Sequence, residues 1–161
     1  MSSGTLKVTT PSDREIAFSR LFDAPRRLVW KAMVTPELLK KWLGVHNNWT
    51  LAVCEIDLRV GGAYRYVWRG PNRAEMGMGG VYREVTPPSR LVATEKFDDA
   101  WYEGSAESTM ELVEQGDRTT LTLTVKYDSK QARDGVLQGP AKEGLEAGYD
   151  TLAALLETLS T

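Results

Sequence analysis

Ala141-Lys-Glu-Gly-Leu145-Glu-Ala-Gly-Tyr149-Asp-Thr-Leu152-Ala-Ala-Leu-Leu156-Glu-Thr-Leu159 decides the fold. Leu145, Tyr149, Leu152, Leu156 and Leu159 step by four, three, four and three residues. That spacing stacks them on one side of an α-helix. Gly139-Pro140 stands just ahead as the break that starts it. A helix with one apolar stripe must bury it, and the chain before it supplies the surface. From Asn48 to Tyr127 the apolar period is two. Six strand candidates follow one another: about Trp49–Arg59, Ala63–Arg69, Met76–Val85, Leu91–Phe97, Ala106–Glu114 and Arg118–Tyr127. Turn chemistry separates them at Gly61-Gly62, Gly70-Pro-Asn72, Pro87-Pro88-Ser89, Asp98 to Gly104, and Gln115-Gly-Asp117. Such short connections predict an antiparallel meander.

Upstream, residues Met1 to Ser12 read as a loose leader, with one domain over residues 13–160. Ile16, Phe18 and Phe22 alternate with small or charged residues and predict a strand. Asp23-Ala-Pro25 reads as a helix cap followed by proline, opening a short helix through Met33. Thr35-Pro36-Glu37 opens a second, whose apolar side carries Leu38, Leu39, Trp42 and Leu43. A further short helix is sketched over residues 131–138. The order predicts an α+β fold. A seven-stranded curved antiparallel sheet wraps around the long C-terminal helix, with two short helices after the first strand. A sheet curved around one helix does not close at both ends, so a ligand cavity is expected between them.

Composition narrows the chemistry. The chain has 161 residues, one domain's worth. The net charge of -2 argues against nucleic acid as a partner. No apolar run is long enough to insert in a membrane and no signal-peptide pattern opens the chain, so the expected location is the cytoplasm. One cysteine and one histidine exclude an internal disulfide, a thiolate zinc cluster and a multi-histidine metal site. No metal and no cofactor are expected. What is abundant is aromatic bulk: five Trp and six Tyr, with five Met.

Four motifs carry a family resemblance. They are Phe22-Asp-Ala-Pro-Arg-Arg-Leu-Val-Trp30, Thr35-Pro-Glu-Leu-Leu-Lys-Lys-Trp42, Asp57-Leu-Arg-Val-Gly-Gly62 and Val81-Tyr-Arg-Glu-Val-Thr-Pro-Pro-Ser-Arg-Leu91. Together they resemble the SRPBCC superfamily, in the branch named for the activator of the heat-shock-protein-90 ATPase, homologue-like. The resemblance implies the helix-grip fold of START domains and of the birch pollen allergen. Its branch name implies a chaperone as a protein partner.

Alternation selects the inward-facing side chains. Tyr64, Tyr66 and Trp68 share one side of a strand, and Met78 and Tyr82 are in phase on the next, together with Met76, Gly80 and Glu84. Met110 follows two strands later, and Trp42 and Tyr149 face inward from helices. Rings with polar tips suit a pocket that is apolar but not dry, and methionine adapts to ligand shape. Trp101 and Tyr102 fall in a loop and read as guards of its mouth. Leu91, Ala93, Glu95 and Phe97 share a phase, which makes Glu95 a desolvated carboxylate and a candidate general acid or base. His46, in Gly44-Val-His-Asn-Asn-Trp49, is a candidate proton shuttle. Cys54 reads as a small buried hydrophobe. Asp57 and Arg59 read as a surface ion pair on a strand, and Glu84 as a salt-bridge partner. Three functions stay open: binding of a hydrophobic or amphipathic small molecule, acid–base catalysis of the cyclase or hydrolase kind on such a ligand, and protein interaction. Exposed strand edges and Trp101 leave a homodimer open.

Overall fold

A computed structural model describes residues 5–99 and 104–159. In chain order its elements are β1 (Lys7–Thr9), β2 (Glu15–Phe22), α1 (Arg26–Val34), α2 (Pro36–Trp42), β3 (Thr50–Ile56), β4 (Ala63–Arg69), β5 (Glu75–Thr86), β6 (Arg90–Phe97), β7 (Ala106–Gln115), β8 (Arg118–Tyr127), α3 (Lys130–Gln138) and α4 (Ala141–Thr158). The strands form a single antiparallel sheet in the order β1-β2-β8-β7-β6-β5-β4-β3. The meander from β3 to β8 is as expected. β2 pairs with β8, and α1 and α2 then carry the chain to the far edge at β3.

One strand more is present than the seven expected. Lys7–Thr9, inside the expected loose leader, pairs with β2 through Val8↔Phe18, and Leu6 beside it is buried. Three residues carry too little alternation to announce a strand. The pairing comes from the neighbouring edge, which offers unpaired backbone groups. α3 is a full helix, because Ser129 caps it with its hydroxyl accepting from the Ala132 N–H at 3.0 Å. Asp23 is not a cap: Pro25 holds the N-cap position of α1, without a side-chain cap bond, and Asp23 instead faces Arg118 at 3.5 Å. Asp57 and Arg59 lie beyond the end of β3, where their 2.9 Å ion pair closes the turn into β4.

A register shift between Tyr82 and Glu84 interrupts the phase expected for β5. The extra residue turns Val85 toward the core opposite Leu91, and Glu84 meets Arg90 at 3.2 Å. Alternation alone does not reveal a bulge, so Glu84 leaves the inward set.

Helix α4 seats on the sheet unevenly. Tyr149, Leu152 and Leu156 are buried, whereas Leu145, one turn nearer the start, is only half-buried. The Tyr149 ring lies edge-on to Phe22 of β2 at 5.6 Å and against Trp42 of α2 at 6.1 Å. Arg20 of β2 reaches Asp150 of α4 at 2.7 Å, with its guanidinium over the Phe22 ring at 5.2 Å. Arg20 shares the inward phase of Ile16, Phe18 and Phe22, and it is 2% exposed. Among the described residues no helix is long and apolar enough to cross a membrane.

The uneven seating is testable. Leu152→Ala should cost about 2–5 kcal/mol, the usual range for an emptied core site. Leu145→Ala should cost less than half as much, since its side chain already borders open space. Equilibrium urea unfolding of both variants measures the difference, and equal losses would contradict the uneven packing.

Candidate functional site

Where α4 lifts away from the sheet, two adjoining cavities open, of about 250 Å³ and about 130 Å³. Leu43, Tyr66, Met78, Glu95 and Leu123 border both, so they form the waist between two lobes. The larger lobe adds Phe18, Trp68, Phe97, Tyr127, and Val136, Ala141 and Leu145 from α3 and the start of α4. The smaller lobe reaches under the helices to Met33, Leu39, Trp42, Tyr64, Tyr82, Ser108 and Met110.

Sheet register explains the shape. The row Cys54–Tyr66–Met78–Phe97 crosses four strands on the inner face, as the pairs Cys54↔Tyr66, Tyr66↔Met78 and Met78↔Phe97 require. Glu95 pairs with Ala106 on one side. On the other side it falls opposite Gly80, between the Gly79↔Lys96 and Tyr82↔Ala93 pairs. Both neighbours are among the smallest residues, so nothing large stands beside the carboxylate. Gly80 is required there: a Cβ would run into the carbonyl oxygen of Thr94. Thr94 is held tightly, its carbonyl accepting from the Tyr64 hydroxyl at 2.6 Å and its hydroxyl from the Val81 N–H at 2.8 Å.

The indole N–H groups along the walls, like the Tyr64 hydroxyl, are spent on backbone. Trp68 Nε1 donates to the Leu43 carbonyl at 2.9 Å, and Trp42 Nε1 to that of Ala32 at 3.0 Å. Tyr64, Tyr66, Trp68 and Tyr82 pack along the sheet as tilted and edge-on pairs, with centroids 5.1 Å apart for Tyr64–Tyr66, 5.8 Å for Tyr66–Trp68 and 5.3 Å for Tyr64–Tyr82. Burial pushes the Tyr66, Tyr82 and Tyr149 phenols above their ordinary range. It also pushes the Cys54 thiol up to about 11, so that thiol stays protonated and unreactive.

Glu95 is the exception in this lining. It is enclosed by protein, and the surface it keeps opens on the two lobes. Among the described residues no hydrogen bond or ion pair reaches its carboxylate, and no lysine, arginine or histidine borders either lobe. Desolvation raises its pKa from 4.5 to about 7.

The residues singled out by sequence distribute as follows. Glu95, Tyr66 and Met78 meet at the waist, Trp68 borders the larger lobe, and Trp42, Tyr64, Tyr82 and Met110 border the smaller. Tyr149 borders neither: it is 1% exposed, clamped where α4 sits closest to the sheet, between Phe22 and Trp42. His46 borders neither lobe. It lies in a tight turn after α2, where Asn47 and Asn48 have positive φ and the Trp49 N–H bonds the His46 carbonyl at 3.1 Å. Trp101 and Tyr102 lie outside the described residues. The waist residues Leu43 and Leu123, and the α3 residue Val136, were not singled out. Leu123 was legible from its inward phase. Val136 needed the Ser129 cap to establish α3.

The raised pKa of Glu95 has a consequence for stability. The folded state holds this proton to higher pH than the unfolded state does. The stabilisation is complete below about pH 4.5 and is lost as pH rises through about 7. The loss amounts to about 3 kcal/mol. Glu95→Gln removes it, so the variant should gain that much on the wild type between about pH 4.5 and pH 8 in urea unfolding. A pH-independent difference would show that the carboxylate is solvated or paired.

Comparisons with known proteins agree with this architecture. A structure from Rhodobacter sphaeroides is 29% identical, covers 96% of this chain and 99% of its own, and superposes with a TM-score of 0.90. One from Nitrosomonas europaea is 27% identical over 91% of this chain and 96% of its own, with a TM-score of 0.79. CalU16 from Micromonospora echinospora is 23% identical over 98% of this chain and 87% of its own, and shares the fold at a TM-score of 0.64. No curated protein matches the chain. Residues 23–157 match the family described as Activator of Hsp90 ATPase homolog 1-like protein. With that match over most of its length, and a helix-grip fold throughout, the chain belongs to this family of the SRPBCC superfamily.

Proposed function

We propose that this protein binds a hydrophobic or amphipathic small molecule between α4 and the sheet. One observation carries the reading: the clustered aromatic residues and Met78 border adjoining cavities of about 250 Å³ and 130 Å³ at the edge of the core. Together the lobes reach the lower end of the roughly 300–1,000 Å³ usual for small-molecule sites. Concave, mostly apolar and preformed, they match what such sites need. A few polar groups fix orientation in sites of this kind, and Glu95, Ser108 and the Tyr66 hydroxyl fill that role here.

A second reading, acid–base catalysis, is favoured by Glu95 alone. A carboxyl group whose pKa lies near 7 exchanges protons readily at neutral pH. On that reading Glu95→Gln abolishes turnover of a bound substrate while binding survives. A chaperone-directed role rests on the family description, and the cavities favour the small-molecule reading over it.

Binding is tested with an uncharged fluorescent probe, N-phenyl-naphthylamine, whose emission rises in apolar surroundings. The wild type should enhance its emission saturably. Leu123→Phe places a larger side chain at the shared wall and should weaken probe binding by about tenfold or more without lowering the melting temperature. No saturable enhancement with the wild type, or equal affinity in Leu123→Phe, would refute the site.

A further inference from the structure

The charges around the two lobes are unbalanced in a way that selects among apolar ligands. Both lobes meet at Glu95, and its carboxylate is the single formal charge that their described walls carry. A binding site for fatty acids or other anionic amphiphiles needs a cation or several N–H donors at the head-group position. Here the indole N–H groups and the Tyr64 hydroxyl are already committed: Trp68 Nε1 to Leu43, Trp42 Nε1 to Ala32 and Tyr64 to Thr94, which leaves the Tyr66 hydroxyl as a neutral donor at the waist. An anionic head group would therefore meet a carboxylate and at most a neutral hydroxyl, with no compensating charge.

A cation would meet the opposite. The Glu95 carboxylate can accept from an ammonium N–H, and the Tyr66 and Trp68 rings border the larger lobe with it, where aromatic side chains favour a cation over an anion. The space beside the carboxylate is that of the two lobes, both of which Glu95 borders, and it is there that a head group would sit. The two lobes on either side accept apolar substituents. An uncompensated carboxylate in an apolar cavity costs the free protein stability, and a cationic ligand removes that cost by pairing with it.

Resting on the binding reading above, we infer that the ligand class is the lipophilic amine: an apolar molecule whose protonated nitrogen sits at the waist against Glu95, with its hydrocarbon parts in the lobes.

Three probes of matched length separate this inference from the reading beneath it. Decylamine, decanol and decanoate compete against N-phenyl-naphthylamine at about pH 8, where both the carboxyl and the amine are charged. In the wild type, decylamine should bind roughly tenfold or more tighter than decanol, and decanoate more weakly than either. In Glu95→Gln the advantage of the amine should disappear and decanoate should recover to near the alcohol. The wild-type ranking stands as a test even if the variant folds poorly. Decanol binding without an amine advantage would overturn the inference and leave the binding site intact. So would an amine advantage that persists in Glu95→Gln. If neither the probe nor any of the three binds, the site itself fails and the inference fails with it.

Discussion

Everything in this fold turns on how far one helix sits down on one sheet. The apolar stripe of α4 is continuous in sequence, but its burial is not. From Tyr149 onward the stripe is closed against the sheet and α2, and at Leu145 it borders open space. Two contacts hold the closed end: Tyr149 between Phe22 and Trp42, and Arg20 of β2 reaching Asp150 on the helix. Burying each side chain of the closed end contributes about 1.5–3 kcal/mol, which exceeds what the open turn forgoes.

The opposite end of the sheet is lined rather than covered. Tyr64, Tyr82 and Ala93 form a small cluster apart from the main core, with Tyr66, Met78 and Leu91 packed against it. This cluster and the open turn of α4 face each other across the cavities. Glu95 sits where they meet because β6 alternates inward through Leu91, Ala93, Glu95 and Phe97, and because Gly80 and Ala106 put no bulk beside it. Desolvation without a partner is what distinguishes this carboxyl group from the paired acidic residues described. Asp150 meets the buried Arg20, while Asp98 with Arg65 and Glu111 with Arg90 form exposed ion pairs that contribute little.

Much of this was legible in the sequence, for physical reasons. Periods of two and of three to four residues are set by backbone geometry, so the meander from β3 to β8 and α4 could be read from apolar spacing. The phase of Glu95 followed from the same alternation. What escaped were features that depend on neighbours. Three residues at Lys7–Thr9 become a strand because an edge is available, and a bulge after Tyr82 turns Glu84 outward. Tyr149 and Leu145 share one stripe, and only their tertiary neighbours decide that the first is clamped and the second borders space. Arg20 was readable as inward from the phase of Phe18 and Phe22, but a charge in that phase runs against the usual rule that arginines stay exposed.

The account rests on a carboxylate held without a partner in an apolar cavity, and the most direct measurement is its titration. Carbon-13 NMR of glutamate side-chain carboxyls, with Glu95 assigned by comparison with Glu95→Gln, follows that group through the pH range. A carboxyl group held in this way titrates with a midpoint near 7. A midpoint near 4.5, the ordinary value, would mean that water or a partner reaches the group, and would contradict the enclosed site.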